Sequence, residues 1–230
     1  MKGARGSVDW FSEHVPAWDK YVVPRLAGKR DATALIVGPY DGRCVKWLFE
    51  NALLGPKSKA TVVAAFGTYP PCVSYLGKGV WNPDVKAAFL KNTRAFTGRI
   101  ALVDEAGGSL RRMAVARSRP SFDFIYVDTT GSRQALDTAV VAFPMLAPGG
   151  VMCFTNYVNN KEHDQRCPRR GIDAFVDCYA SDVRVLRSAF HYFLERRVSP
   201  LPRTPCHSEF FEEPSRPVTC RKVSHTAVLI

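Results

Sequence analysis

The sequence predicts an α/β protein built on a doubly wound, mostly parallel sheet with helices on both faces. Three observations predict this class: short apolar segments typical of buried parallel strands, amphipathic segments between them, and turns rich in Gly and Pro. The clearest example runs from Asp123 to Tyr157, where one strand ends in Asp128 and the next ends in Thr155-Asn156-Tyr157. Ligands bind beyond the carboxyl ends of such strands, so this stretch also indicates where a ligand would lie.

Seven apolar segments have the length and composition of strands. They are rich in Val, Ile, Leu, Ala or Phe, and several end at a glycine, an acid or another polar residue. In chain order they are 33–37, 60–65, 99–103, 122–128, 151–155, 183–186 and 190–194. The first five alternate with helices, as in a doubly wound sheet, and the last two are predicted to close it.

Helical segments separate these strands. Residues 8–29 carry spaced aromatic and apolar residues, which predict a helical lead-in packed on the sheet. Asn82 is expected to cap a later helix whose first turn contains Pro83. The other helices are predicted from their apolar stripes and from the turns that end them. Predicted helices after the lead-in are 43–54, 83–94, 110–116, 132–146 and 171–179.

The last 33 residues differ from the rest of the chain. Prolines interrupt regular structure there, and Phe210-Phe211 and the segment 227–230 are apolar. We therefore divide the chain into one folded domain over 1–197 and a Pro-rich C-terminal arm over 198–230. The arm is expected either to pack back on the domain or to engage a protein partner.

Composition and cysteine usage predict an intracellular, most simply cytoplasmic, protein. Hydrophobic residues make up 46% of the 230 residues and charged residues 23%, which is ordinary for a globular protein. No apolar run approaches the roughly 18–20 residues that span a bilayer, so no membrane association is expected. Seven scattered cysteines without a C-x-x-C pair are most simply reduced thiols. Their spacing with the histidines matches no standard zinc site.

The net charge of +11 is compatible with nucleic-acid binding. Arginines cluster in several places along the chain, but no short run is dense enough to form a basic binding arm. A basic surface without a specific role, or an acidic partner, are the alternatives.

A glycine-containing loop joins the first strand to the next helix. Gly38-Pro39-Tyr40-Asp41-Gly42 follows the apolar strand, and glycine there lets the backbone approach a ligand at a helix N-terminus. The spacing G-x-x-x-G differs from the dinucleotide fingerprint G-x-G-x-x-G. Taken alone, the loop is also compatible with an ordinary strand-to-helix turn.

Five motifs follow one another in a familiar order and spacing. They are V-G-P-Y-D-G-R-C-V-K-W-L-F-E-N-A-L, W-N-P-D-V-K-A-A-F-L-K-N-T, F-D-F-I-Y-V-D, L-A-P-G-G-V-M-C-F-T-N-Y and G-I-D-A-F-V-D-C-Y. Together they resemble class I S-adenosylmethionine-dependent methyltransferases, in particular the small O-methyltransferases of the catechol and caffeoyl-CoA type. The resemblance covers residues 8–195 and implies a Rossmann-like domain. It implies cofactor contacts at Gly38, Tyr40 and Gly42, with Asp128 and Asn156 as catalytic residues facing the acceptor.

The sequence departs from this family at two cofactor positions. Ile36 stands where the family has an acid that holds the methionine end of the cofactor, and 64–67 (A-A-F-G) replaces a strand end whose acid binds the ribose hydroxyls. Losing that acceptor removes an interaction worth roughly 1.5–3 kcal/mol. Asp104 and Glu105, which follow the third predicted strand, are candidate cofactor ligands in its place.

The metal site departs from the family as well. Metal-dependent members hold Mg²⁺ with an Asp after the fourth strand and an Asp-Asn pair after the fifth. Asp128 and Asn156 match the first and last ligands, but Thr155 replaces the middle acid and Gly131 the catalytic Lys. Mg²⁺ usually needs one or two carboxylates, so at most a weak site is expected. Alternatively, Asp128 caps the following segment and Asn156 simply ends a strand.

Two further groups of residues are candidate sites. His163-Asp164 are candidates for a general base above the site, or for part of a solvated polar loop. Trp10, Trp18 and Trp47 are predicted to be core residues rather than a stacking platform.

We interpret the chain as a methyltransferase that binds S-adenosylmethionine and acts on a small-molecule or protein acceptor, chiefly through proximity and orientation. The alternative is an inactive methyltransferase fold that serves as a binding or assembly module through its basic surface and C-terminal arm. The missing acids favour the alternative, whereas the glycines and Asp128 favour the enzyme. A nucleic-acid methyltransferase, which charge alone suggests, ranks third.

Overall fold

The computed structural model describes residues 9, 11–66, 84–105, 108–116, 119–129, 131–157 and 167–199. Within these ranges seven strands form one sheet. They are β1 (Thr33–Val37), β2 (Lys59–Ala64), β3 (Ile100–Asp104), β4 (Phe122–Val127), β5 (Leu146–Phe154), β6 (Val183–Arg187) and β7 (Tyr192–Arg196). Their order is β3-β2-β1-β4-β5-β7-β6, and only the pairs that involve β7 are antiparallel. The predicted doubly wound, mostly parallel sheet is confirmed.

Helices cover both faces of the sheet. In the described ranges they are α1 (Val15–Tyr21), α2 (Val23–Leu26), α3 (Arg43–Asn51), α4 (Val85–Thr93), α5 (Ser109–Ala116), α6 (Ser132–Ala142) and α7 (Arg169–Cys178). Short 3-10 turns lie at Ser12–His14, Arg94–Arg99 and Phe143–Met145. None of these helices is long and apolar enough to cross a membrane.

Two buried clusters make up the core, one on each face of the sheet. Alternate residues of the strands point to opposite faces, so Tyr126 and Cys153 belong to one cluster and Val127 and Phe154 to the other. The first cluster is covered by α1 to α4 and the second by α5 to α7. The site at the carboxyl edge of the sheet therefore has a helical layer on each side.

The N-terminal lead-in packs on the sheet as predicted, through α1 and α2. Trp18 is fully buried, and its ring makes an edge contact with Phe124 of β4 at 5.4 Å between centroids. Trp47 is only partly buried and packs against the same cluster. Trp18 is thus a core residue as predicted and Trp47 borders the core, whereas Trp10 lies outside the described residues.

The segment after α6 differs from its prediction. The helix expected over 132–146 ends at Ala142, and β5 begins at Leu146 rather than at residue 151. Leu146 pairs with Phe122, and the register then shifts before Val151 pairs with Phe124. The predicted Pro-Gly-Gly turn is therefore a bulge inside the strand, and Gly149 accommodates it with a φ of +75°.

The N-terminus of α4 also differs from its prediction. Asp84 is the N-cap, and its side chain accepts a hydrogen bond from the backbone N–H of Ala87 at 2.7 Å. The predicted cap Asn82 and the adjacent Pro83 lie outside the described residues. Asp has the same short acceptor side chain as Asn, so the kind of cap agrees with the prediction but its position is two residues later.

Several predictions concern residues that the structure leaves undescribed. They include the His163-Asp164 loop and nearly all of the C-terminal arm, so the division at 197/198 stays a prediction. The four cysteines within the described ranges are free thiols, and Cys44 and Cys153 are buried in the core as expected.

Candidate functional site

The loop between β1 and α3 is built from left-handed backbone. Gly38, Tyr40 and Gly42 have φ values of 78°, 48° and 79°. Tyr40 is one of two non-glycine residues with positive φ in the described chain, a conformation that costs energy for an L side chain. The loop leaves the sheet between β1 and β4, where the strand order reverses, which is where ligands bind in open α/β sheets.

Close packing requires glycine at both Gly38 and Gly42. A Cβ on Gly38 would lie 2.2 Å from the carbonyl oxygen of Asp128, so the loop touches the end of β4 directly. A Cβ on Gly42 would lie 2.7 Å from a ring carbon of Phe89, which belongs to α4. Gly38 therefore shapes the crevice itself, whereas Gly42 has a packing role besides its predicted contact with a cofactor.

Asp128 and Asn156 meet at the ends of β4 and β5. The Nδ2 of Asn156 donates a hydrogen bond to Oδ1 of Asp128 at 3.2 Å. Asn156 has a φ of 62°, and the next residue, Tyr157, donates its backbone N–H to the carbonyl oxygen of Phe190. The residue at the N-cap of α6 is Gly131 rather than Asp128. The structure thus pairs the two predicted catalytic residues with each other, and the capping alternative for Asp128 is not seen.

Burial changes the acidity of this pair. Removal from water raises the pKa of Asp128 from 3.8 to about 7, since a carboxylate loses its hydration in the crevice. The residue is half-buried rather than fully enclosed, so solvent screens part of this effect. A carboxyl group with a pKa near neutrality can exchange a proton with a ligand at physiological pH.

The stability of the protein should therefore depend on the ionisation of Asp128. Between pH 4 and pH 7 the folded carboxyl keeps a proton that the unfolded chain has lost, so the free energy of unfolding falls as pH rises through this window. We expect Asp128→Asn to be more stable than the wild type at pH 8, by on the order of 1 kcal/mol, and to differ little at pH 4. Urea unfolding at both pH values measures this. An equal difference at both would contradict it.

The side chains around Asp128 do not fit a magnesium ion. They supply one carboxylate with a raised pKa, and the amide of Asn156 turns an N–H donor toward it. Thr155, where the resembling family has an acid, is buried. In the described ranges no group of three or more His, Cys, Asp or Glu residues could hold a metal. Because divalent hard cations need charged oxygen ligands, the weak Mg²⁺ site predicted from the sequence lacks a suitable donor set.

The two acids at the carboxyl end of β3, Asp104 and Glu105, have different surroundings. Asp104 is the register partner of Ala64, the last residue of β2, so it lies beside the strand end that lacks an acid. Glu105 accepts a hydrogen bond from the backbone N–H of Leu110 at 3.0 Å, in the first turn of α5. Asp104 is thus well placed for a ligand, whereas one oxygen of Glu105 already serves the helix.

A group of residues that sequence reasoning missed lies at the same edge. His191 comes just before β7 and, continuing the Phe154–Tyr192 pairing, adjoins Thr155. Its Nδ1 accepts a hydrogen bond from Nε1 of Trp18 at 2.8 Å. Tyr126 of β4 is fully buried beside it. No local pattern marks these residues, because their proximity depends on the antiparallel placement of β7.

Solved structures share this architecture. The O-methyltransferase from Bacillus cereus in complex with SAH is 16% identical over 82% of this chain and 82% of that chain, with a TM-score of 0.59. TomG from Streptomyces achromogenes, an O-methyltransferase involved in tomaymycin synthesis and solved with SAM, is 13% identical over 84% of this chain and 82% of its own, with a TM-score of 0.58. No family profile and no curated protein matches the sequence. The fold is that of the class I methyltransferases, as the resemblance implied.

Proposed function

We propose that this protein is a methyltransferase that uses S-adenosylmethionine to methylate an oxygen atom of a small-molecule or protein acceptor. The observation that carries the proposal is the 38–42 loop, which places three left-handed residues at the switch point and touches the backbone of Asp128. Proteins of this fold include O-methyltransferases in complex with SAH and with SAM. The loop lets the cofactor approach the backbone closely. The carboxyl of Asp128, when ionised, supplies a negative charge for the positive groups of the cofactor.

Residues at three strand ends suit different parts of this cofactor. The glycine loop, whose left-handed backbone borders the end of β4, suits close approach of the cofactor, and at the start of α3 the N–H of Arg43 is already bonded to the carboxylate of Asp41. The carboxyl of Asp128, when ionised, suits its positive charges, and Asp104 suits the ribose hydroxyls. When bound, the cofactor supplies an electrophilic methyl group.

We assign proton transfer from the acceptor hydroxyl to Asp128. A pKa of about 7 leaves a useful fraction of the carboxyl ionised at neutral pH, so it can accept a proton as the methyl group is transferred. The hydrogen bond from Asn156 fixes the orientation of the carboxyl group. The remaining acceleration comes from holding the acceptor oxygen in line with the methyl group. No step depends on a metal, so EDTA should leave the activity unchanged.

Isothermal titration with S-adenosylmethionine tests the proposal. We expect saturable binding with one site per chain, and stronger binding when the free carboxylate of Asp128 is available above pH 7. A lack of detectable heat at millimolar cofactor would reject the enzymatic proposal.

The two acids at the carboxyl end of β3 give a matched pair of variants. Asp104→Asn should weaken S-adenosylmethionine binding by about tenfold or more, because a neutral amide replaces the charged acceptor for the ribose hydroxyls. Glu105→Gln should leave the affinity nearly unchanged and cost about 0.5–1 kcal/mol of stability through the N-terminus of α5. Titration calorimetry and thermal unfolding of both variants measure the two effects. The assignment fails if Glu105→Gln loses more affinity than Asp104→Asn.

The alternative is a binding module that retains the fold without the chemistry. Two observations favour it: Ala64 ends β2 without an acid, and Glu105 is engaged by α5. Such a module would bind partners through its basic surface or its C-terminal arm. The titration separates the two proposals, since a module of this kind has no need to bind the cofactor.

A further inference from the structure

Two buried polar atoms without partners belong to neighbouring rings at the carboxyl edge of the sheet. They are Nε2 of His191 and the hydroxyl of Tyr126, and neither has a hydrogen-bond partner among the described residues. The two rings are 6.3 Å apart between centroids, and both contact the ring of Trp18. An unpaired buried polar group is destabilising, so two of them on neighbouring rings indicate a missing partner.

The hydrogen bond from Trp18 fixes the tautomer of His191. An indole N–H can only donate, so Nδ1 of His191 must present its lone pair and the ring hydrogen of the neutral form lies on Nε2. Burial, the neighbouring His14 and Arg187 all lower the pKa of His191 well below its usual value. The ring therefore stays neutral, and Nε2 is a hydrogen-bond donor with no acceptor.

Tyr126 is a second proton-bearing group. Burial and the nearby charge of Asp128 raise the pKa of its phenol well above the usual value, so the hydroxyl keeps its proton. Thr155 is close enough to lower this pKa slightly but does not meet hydrogen-bond geometry with the Tyr126 oxygen. The phenol is thus free to donate to a ligand.

The surroundings of the two donors are aromatic. The ring of His14 lies 4.2 Å from that of His191 and stacks on Phe190 at 4.5 Å. His14 and Phe190 are partly exposed and both lie beside the buried ring of His191. The charged side chains nearby are Arg187, Asp128 and Glu13, which contacts His14. A planar, uncharged ligand suits these surroundings better than an ion does.

We propose that Tyr126 and His191 bind the carbonyl oxygen of a planar, uncharged acceptor. A carbonyl oxygen has two lone pairs and no proton, so it accepts from both donors and leaves nothing unpaired. A ligand hydroxyl at this position would add its own hydrogen to those that Tyr126 and His191 donate, and the described contacts offer no acceptor for it. This inference rests on the proposed function, since Asp128 lies two residues beyond Tyr126 on the same side of β4 and would serve a hydroxyl next to that carbonyl.

A pair of fluorinated probes tests the assignment by ¹⁹F NMR. We expect 4-fluoroacetophenone to bind the protein saturably and 1-ethyl-4-fluorobenzene, which lacks the carbonyl oxygen, to bind at least about threefold more weakly. Tyr126→Phe should weaken the ketone by about three- to tenfold and leave the hydrocarbon unchanged. The infrared C=O stretch of the bound ketone should move to lower frequency, and less so in the variant.

The stability of Tyr126→Phe without ligand distinguishes an unpaired hydroxyl from one that holds a buried water molecule. Tyr126→Phe removes an unpaired hydroxyl and nothing else, so the empty variant should be as stable as the wild type or more stable. If the variant is less stable and the ketone does not bind, the two donors hold a buried water molecule and the proposal is wrong. Equal binding of both probes, or tighter binding of 4-fluorophenol than of the ketone, would also overturn it.

Titration with S-adenosylmethionine separates this inference from the proposed function. Cofactor binding without ketone binding would remove the carbonyl site and leave the methyltransferase proposal standing. Ketone binding without cofactor binding would support the carbonyl site and reject the methyltransferase proposal. His191→Phe is a weaker variant for this purpose, because it also removes the acceptor of the Trp18 hydrogen bond.

Discussion

Replacement of Gly38 by alanine is expected to destabilise the domain by at least about 3 kcal/mol. The added methyl would lie 2.2 Å from the carbonyl oxygen of Asp128, and backbone on both sides prevents simple relief. The φ of 78° adds strain that glycine does not have. Urea unfolding followed by circular dichroism measures the loss.

Gly28→Ala is the matched control for this substitution. A Cβ at Gly28 would meet nothing within 4 Å, and its backbone lacks the positive φ. Its stability should stay within about 0.5–1 kcal/mol of the wild type. If the two variants unfold at the same urea concentration, the close approach between the glycine loop and β4 does not exist in solution.

Trp18→Ala should have the second large effect, a loss of about 3–5 kcal/mol. The side chain is fully buried between α1 and the sheet, and it contacts the rings of Phe124 and Tyr126. Its removal leaves a cavity and takes the donor from Nδ1 of His191. Chemical denaturation at neutral pH measures the change.

Trp47 provides the comparison for Trp18. It is the same residue type in the same cluster but is only partly buried. Trp47→Ala should therefore cost less than half as much as Trp18→Ala, since the destabilisation follows the buried area that is lost. Comparable losses in both variants would show that the depth of burial assigned to Trp18 is wrong.

The part of the site that the sequence predicted depends on strand order alone. Asp128 and Asn156 follow two apolar segments joined by one helix, and consecutive strands of this kind are usually neighbours. Their meeting at 3.2 Å follows from that arrangement. Asp104 lies beside Ala64 for the same reason, because β2 and β3 are adjacent.

The features that the sequence did not predict depend on contacts between distant residues. The Pro-Gly-Gly sequence predicts a turn. In the structure Leu146 pairs with Phe122, so the segment is a bulge within β5. The sequence predicts Glu105 as a cofactor ligand. In the structure its carboxylate accepts a hydrogen bond from the backbone N–H of Leu110 at the start of α5. His191 lies 173 residues from Trp18 along the chain, and no local spacing reports such a contact.

The same distance along the chain has a consequence for biosynthesis. Helices α1 and α2 are made well before their polar partners: Trp18 bonds His191, and Arg25 bonds Glu195 of β7. Helices α1 and α2 therefore cannot complete these contacts until β7 has been translated. During that interval Trp18 and Arg25 lack these partners, so the described domain completes its fold only after β7 has been made, and the incomplete chain is more prone to aggregation.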